Sequence, residues 1–275
     1  EETETYEHPE WHIPVHSLYG KTREPTPEML DGIDCMVCDL QDLGVRCYTY
    51  LATLRNMMRV CARAGVPMLV LDRPVPLPNC VDGSEREESL DSFVAPAPVP
   101  FVYGMTLAEA ARWMKRNMIP GVELETIPMT VACRDEISFE ALLHFVRPSP
   151  AICTVEAAII YPMTVLSEFL PVLDCSRGKE LSFQVFGAPW LDPVEFLPFL
   201  SDEDFPGIAF SRCAFPAGNK MYEGLDIDGI RITVANRGAF RPFSSAMKLL
   251  TLIFREYRPE RTWLHPSTRQ QWFNA

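Results

Sequence analysis

The sequence predicts an α/β fold built on a mostly parallel sheet, and three observations carry that expectation. Two apolar runs of strand length, residues 33–40 and 66–71, lie close together in the chain. Between them, residues 48–64 repeat apolar side chains at helical spacing and stop at Gly65, as helices commonly stop at glycine. The connections are short, so strand, helix and strand predict a right-handed βαβ unit with the two strands as parallel neighbours. The second run, Val66-Pro-Met-Leu-Val-Leu71, is continuous rather than alternating, which predicts burial on both faces of the sheet.

The other elements follow in chain order. Thr26 and Pro27 suit the N-cap and first position of a short helix ending at Leu30. Residues 74–100 are rich in proline and carry an acidic patch at 85–91, so they are expected to cross the surface as a long loop, often a functional feature. Thr106-Leu-Ala-Glu109 is a capping box that starts a helix to about Asn117. A strand follows at 122–129. In the second half, helices are expected at 155–160, 192–200 and 242–257, and strands at 181–186, 208–213 and 229–234. Pro148-Ser-Pro150 interrupts the pattern, which places a boundary between residues 1–147 and 148–275.

Composition narrows the function. Apolar residues make up 47% of the chain and charged residues 23%, as in a globular domain with a real core. The net charge of −12 repels polyanions, so no nucleic-acid partner is expected and a small ligand fits better. No apolar run approaches the roughly 18 residues that span a bilayer, so no membrane span is expected. The acidic start at Glu1 does not read as a signal peptide.

Nine cysteines are scattered through apolar runs, a pattern that suits buried free thiols and a reducing compartment. In particular Cys35, Cys38, Cys47 and Cys61 are expected to be buried and unpaired. Cys35-Met-Val-Cys38 has metal-like spacing, but residues three apart on a strand face opposite sides. His8, His12 and His16 recur every fourth residue, yet Pro9 and Pro14 rule out one continuous helix there. No metal site is therefore expected. Neither a Gly-x-Gly-x-x-Gly run nor a Walker loop follows either strand, so no nucleotide cofactor is expected, and no Gly-x-Ser-x-Gly elbow is present.

In open α/β sheets ligands bind beyond the carboxyl ends of the strands. Here those ends carry Asp39, Gln41, Asp42, Arg46, Tyr48 and Tyr50 after the first strand, and Asp72 and Arg73 after the second. Such a set can bind a sugar through hydrogen bonds and ring contacts, and can supply carboxyl groups for glycoside hydrolysis. Individually, Asp72 and Arg73 also read as an internal ion pair and Asp39 as a cap.

The same residues carry a resemblance. His16-Ser-Leu-Tyr-Gly-Lys-Thr-Arg-Glu-Pro-Thr-Pro-Glu-Met-Leu30 runs on into Asp39-Leu-Gln-Asp42, Arg46 and Tyr48-Thr-Tyr50. Leu71-Asp-Arg-Pro74, Gly104-Met-Thr106, Glu109, Tyr161-Pro162, Glu168, Arg177-Gly178 and Gly187-Ala-Pro-Trp190 follow in order. This succession resembles the exo-β-N-acetylmuramidase family of bacterial cell-wall recycling enzymes over nearly the whole chain. The resemblance implies a Rossmann-like domain followed by a smaller α/β lobe, a commonly exported protein, and hydrolysis of N-acetylmuramic acid from the non-reducing ends of peptidoglycan fragments. It points to Glu168 and Asp42 as catalytic carboxyls, and to Asp39, Gln41, Arg46, Tyr48, Asp72, Arg73 and Arg177 as substrate-binding residues. The partner it implies is a peptidoglycan-derived sugar or muropeptide.

There are departures. Where the family pattern has Asn, His, Asn and Gly, this chain has Val75, Tyr103, Ala151 and Met163, and the run after Glu168 reads Phe-Leu-Pro171. The Pro-Glu-His-Gly loop to which the family pattern assigns a catalytic glutamate does not occur in these 275 residues. Two expectations follow: a hydrolase with a diverged site and weak activity as the chain stands, or a non-catalytic relative that binds a muropeptide or protein partner.

Overall fold

A computed structural model describes residues 5–20, 22–129, 146–170 and 172–257. Ten strands occur among them: β1 (Tyr6–Glu7), β2 (Pro14–Val15), β3 (Met36–Cys38), β4 (Met68–Leu71), β5 (Asp82–Glu85), β6 (Pro100–Val102), β7 (Leu124–Ile127), β8 (Val185–Phe186), β9 (Ile208–Pro216) and β10 (Asp226–Val234). The α-helices are α1 (Tyr50–Ala64), α2 (Leu107–Asn117), α3 (Val155–Thr164), α4 (Pro193–Phe196) and α5 (Pro242–Tyr257). The chain divides into two compact units. One is Glu1–Leu40, Thr49–Arg73 and Met105–Ala132, and the other is Gln41–Tyr48, Pro74–Gly104 and Cys133–Ala275.

In the first unit β3, β4 and β7 form a parallel sheet in that order, with Met36 opposite Met68 and Met68 opposite Leu124. This is the expected βαβ unit, with α1 crossing between neighbouring strands. α1 is amphipathic: Leu51, Leu54, Met58 and Cys61 are buried, and Gly65 closes it in the left-handed region at φ 67°. The Thr106 hydroxyl accepts from the Glu109 amide and the Glu109 carboxylate accepts from the Thr106 amide, so α2 starts where the capping box requires.

The sheet is thinner than expected. Only 36–38 of the run 33–40 are strand, and the strand at 122–129 shortens to Leu124–Ile127. Met68 and Val70 are buried, whereas Val37 and Ile127 on the other face are exposed and Leu71 is half-buried. One face of the sheet, not both, is buried among the described residues.

The second unit is organised by the antiparallel order β8-β10-β9. β9 and β10 pair over nine residues from Asp226 opposite Pro216 to Val234 opposite Ile208. Both strands start or end beyond the expected 208–213 and 229–234. α3 packs on β10 and α5, and continues to Thr164 past Pro162, beyond the expected 155–160. Of 181–186 only Val185–Phe186 is strand, and 192–200 splits into α4 and a short 3₁₀ turn. α5 spans the expected residues.

The proline-rich segment follows the surface only in part: residues 87–89 and 91 of its acidic patch are exposed, while stretches at both of its ends are buried. Pro74, Val75, Pro76, Leu77 and Cys80 are buried, and β5 and β6 form an antiparallel hairpin against α5. Asp82 fixes the hairpin there, accepting from the Ser244 amide at 3.0 Å and its hydroxyl at 2.7 Å. Here proline removes amide donors from a segment that is being buried, which reduces the number needing partners.

The thiol expectation holds in part. Cys38 and Cys61 are buried, but Cys35 is exposed and Cys47 half-buried, because β3 begins only at Met36 and leaves Cys35 on the approach to it. Cys133 lies outside the described residues. No group of three or more His, Cys, Asp or Glu side chains suited to a metal ion occurs among the described residues.

The capping box gives a direct test. Thr106→Ala is expected to lose about 1 kcal/mol of stability, read as a lower urea midpoint at unchanged slope. An unchanged midpoint would show that the cap contributes nothing.

Candidate active site

The expected site residues fall into two sets. In the first unit, Asp39 and Arg73 follow the carboxyl ends of β3 and β4. Arg73 grips Asp39 with two hydrogen bonds, Nε to Oδ1 at 2.5 Å and an Nη to Oδ2 at 2.8 Å. Both are partly open to water, and the Arg73 hydrogen bonds hold the Asp39 carboxyl below its ordinary range. Asp39 is thus a fixed anion and a hydrogen-bond acceptor. Asp72 turns to α2 and accepts from the Ala108 amide at 3.3 Å. The ion pair therefore joins Arg73 to Asp39, not to its neighbour Asp72.

In the second unit, loop 41–48 is tied to the proline-rich segment. The Gln41 side-chain amide donates to the Pro74 carbonyl at 2.7 Å. Arg46 is only 6% exposed, and one Nη donates to the carbonyls of Val99 at 2.7 Å and Ser84 at 3.0 Å. Its guanidinium carbon also lies 5.9 Å from the Phe101 ring centre.

Asp42 is 1% exposed. Its Oδ2 accepts from the Gly44 amide at 2.9 Å and from the Tyr103 hydroxyl, while Oδ1 is buried without a hydrogen-bond partner. Burial, opposed by those donors, pushes the carboxyl up to about 6.

Behind this loop, Tyr48 stands edge-on to Tyr161 of α3 at 5.7 Å, and the Tyr161 hydroxyl meets the Cys47 thiol at 3.9 Å. Burial pushes Cys47 and Cys175 up to about 12, so neither is a thiolate nucleophile at neutral pH. Glu168 lies on the 3₁₀ turn Val165–Phe169 that continues α3. Its side chain is 28% exposed, and an Arg177 Nη lies 3.1 Å from its Oε1, with Arg177 itself well exposed. Burial raises the Glu168 carboxyl, and the Arg177 charge opposes that rise.

Thus Glu168 and Arg177 meet as an accessible pair. Asp42 lies in the same unit as a buried acid, and Tyr48 as a buried ring. Tyr103 and Tyr161 enter as partners of Asp42 and of Tyr48 and Cys47 that sequence reasoning gave no role; Tyr161 stands inside a matched motif and Tyr103 is a departure beside one. The departures at Val75, Tyr103 and Met163 are all buried. They are core positions, so apolar character there belongs to packing.

A family model described as the N-terminal domain of exo-β-N-acetylmuramidase NamZ matches residues 1–156, and one for its C-terminal domain matches residues 159–275. The chain belongs to the NamZ family. It is 34% identical over 242 residues to the peptidoglycan β-N-acetylmuramidase NamZ of Bacillus subtilis, covering 88% of this chain and 58% of that relative. Among solved structures it is similar to a DUF1343 family protein of Bacteroides fragilis, at a TM-score of 0.85 and 27% identity over 91% of this chain and 66% of that one. A second DUF1343 structure from the same organism shares the fold at a TM-score of 0.65 and 22% identity, covering 96% of this chain and 79% of the other. The chain spans less than two thirds of the Bacillus NamZ and of the first of these structures.

The buried Asp42 predicts a pH signature. Its folded pKa of about 6 lies above the ordinary 3.8, so ionising it opposes folding. Its contribution to stability is full below pH 4 and is lost as pH rises through 6, by roughly 3 kcal/mol in all. Asp42→Asn should remove that fall, seen by comparing urea unfolding of the two proteins between pH 4 and 7. Parallel stability curves would contradict the assignment.

Proposed function

We propose that the protein is an exo-β-N-acetylmuramidase-like glycoside hydrolase that takes N-acetylmuramic acid from the non-reducing ends of peptidoglycan fragments. One observation carries the reading: Glu168, a carboxyl that burial raises above its ordinary range, is still reachable from solvent and stands beside an exposed guanidinium. Membership of the NamZ family supports the substrate class.

Glycoside hydrolysis needs a carboxylic acid to protonate the leaving oxygen. A raised pKa keeps that proton in place closer to neutral pH. Glu168 takes this role, and the planar Arg177 guanidinium suits the lactyl carboxylate of muramic acid. Asp42, which sequence reasoning pairs with Glu168, is enclosed and hydrogen-bonded by Tyr103. Gln41 and Arg46 hold the loop that carries it.

Glu168→Gln should lower kcat on a muramic-acid-terminated disaccharide by about 10²–10⁴-fold. The loss should be much smaller on a nitrophenyl β-N-acetylmuraminide, whose leaving group departs without a proton. Equal losses on both substrates would remove Glu168 from the proton-donor role.

A further inference from the structure

The pair just described has a support that no sequence motif marks. Asp174 is 1% exposed, and its backbone is locked to Gly187 by hydrogen bonds of 2.8 and 3.0 Å. Its carboxylate gathers amides from two separate segments. Oδ1 accepts from Ser176 at 2.6 Å and Gly218 at 3.0 Å, and Oδ2 from Gly218 at 3.0 Å and Asn219 at 2.8 Å. The Ser176 hydroxyl adds a bond to the Pro216 carbonyl at 2.9 Å. Ser176 itself sits at φ 56°, a left-handed conformation that a non-glycine residue holds only when its surroundings impose it.

The two segments touch backbone to backbone. A Cβ on Gly218 would fall 2.1 Å from the Arg177 amide nitrogen and 2.5 Å from the Ser176 carbonyl carbon. Only glycine allows the approach that brings the Gly218 amide to Asp174. The residue held in this clamp is Arg177, whose guanidinium then reaches Glu168.

We propose that Asp174 is the positioning residue of the Glu168–Arg177 pair: its buried carboxylate fixes the turn 174–178 against 216–219 and so sets where the Arg177 guanidinium stands. The proposal rests on the reading of that pair as the proton-donor site. Hydrogen bonds from amides to a charged acceptor are the strong kind, and three amides on one carboxylate outweigh the local strain at Ser176.

The test reads Glu168 directly, without turnover. The groups that act on Glu168 or feel its charge are Arg177 and Cys175 from the clamped turn, Cys47 from loop 41–48 and Tyr161 from α3. Of these Arg177 lowers it, so releasing Arg177 raises the Glu168 carboxyl. Removing the Asp174 charge with no movement has the opposite sign, because loss of a nearby anion favours ionisation. The full chain is labelled with ¹³C at glutamate carboxyls, and the Glu168 signal is assigned by its disappearance in Glu168→Gln. In Asp174→Asn the Glu168 titration should move up, to the position found in Arg177→Ala, and the double variant should move no further. A titration that stays put or moves down in a folded Asp174→Asn overturns the proposal. Should Asp174→Asn fail to fold, Gly218→Ala takes its place: it keeps the Asp174 charge but forces the segment 216–219 away from the Ser176–Arg177 backbone, and an unmoved Glu168 titration in it overturns the proposal equally. Absence of hydrolysis by the wild-type chain would reject the proton-donor reading while leaving the titration a valid test of Asp174.

Discussion

The burial of Arg46 is the constraint on which the second unit depends. A guanidinium taken from water must find acceptors, and this one finds them on two backbone carbonyls of the proline-rich segment, Ser84 and Val99. The Arg46 amide adds a bond to Phe101, and the Tyr103 amide one to Gly44. Loop 41–48 and segment 74–104 are thereby one layer, although a helix and a strand of the other unit separate them in the chain. Asp42 and Tyr48 hold their places because that layer is fixed.

Carboxylates in this protein are controlled in three ways, and each way gives a different chemistry. Asp39 is held ionised by a bidentate arginine. Asp42 is buried against a phenol and the amides of its own loop, and burial outweighs them, so its charged form is disfavoured. Asp174 is buried but surrounded by amides. Glu168 lies between these extremes, shielded enough to rise and open enough to be reached. A carboxyl raised by burial and still reachable is the kind that can pass a proton to a ligand. The distinction is one of donors and burial, which residue type alone does not carry.

Much of the fold is legible in the sequence because its signals are local. Helix periodicity ending at Gly65, the capping box at Thr106 and the paired apolar runs each specify their own element. The sheet edges are not legible, since strand length depends on neighbours: β3 shrinks to three residues while β9 and β10, paired to each other, extend to nine. The proline-rich segment departs in part from its expected surface course for a related reason. Its prolines mark the absence of regular structure, and nothing local records that a distant arginine and α5 will bury parts of it. At the site, the motif at Glu168 and Arg177 points to both members of the accessible pair. The inward turn of Arg46, the enclosure of Asp42 and the role of Asp174 come from long-range hydrogen bonds and leave only faint traces, such as the Asp-x-Ser spacing of an Asx turn at 174–176.

The central claim is that Glu168, a reachable carboxyl raised by burial, serves removal of a terminal muramic acid. The most direct measurement is mass spectrometry of fragments incubated with the protein, one set capped at the non-reducing end by N-acetylmuramic acid and the other by N-acetylglucosamine. The account predicts free N-acetylmuramic acid from the first set, the second left whole, and release abolished or nearly so with Glu168→Gln. Release from both sets alike, or full release by the Glu168→Gln protein, would contradict it.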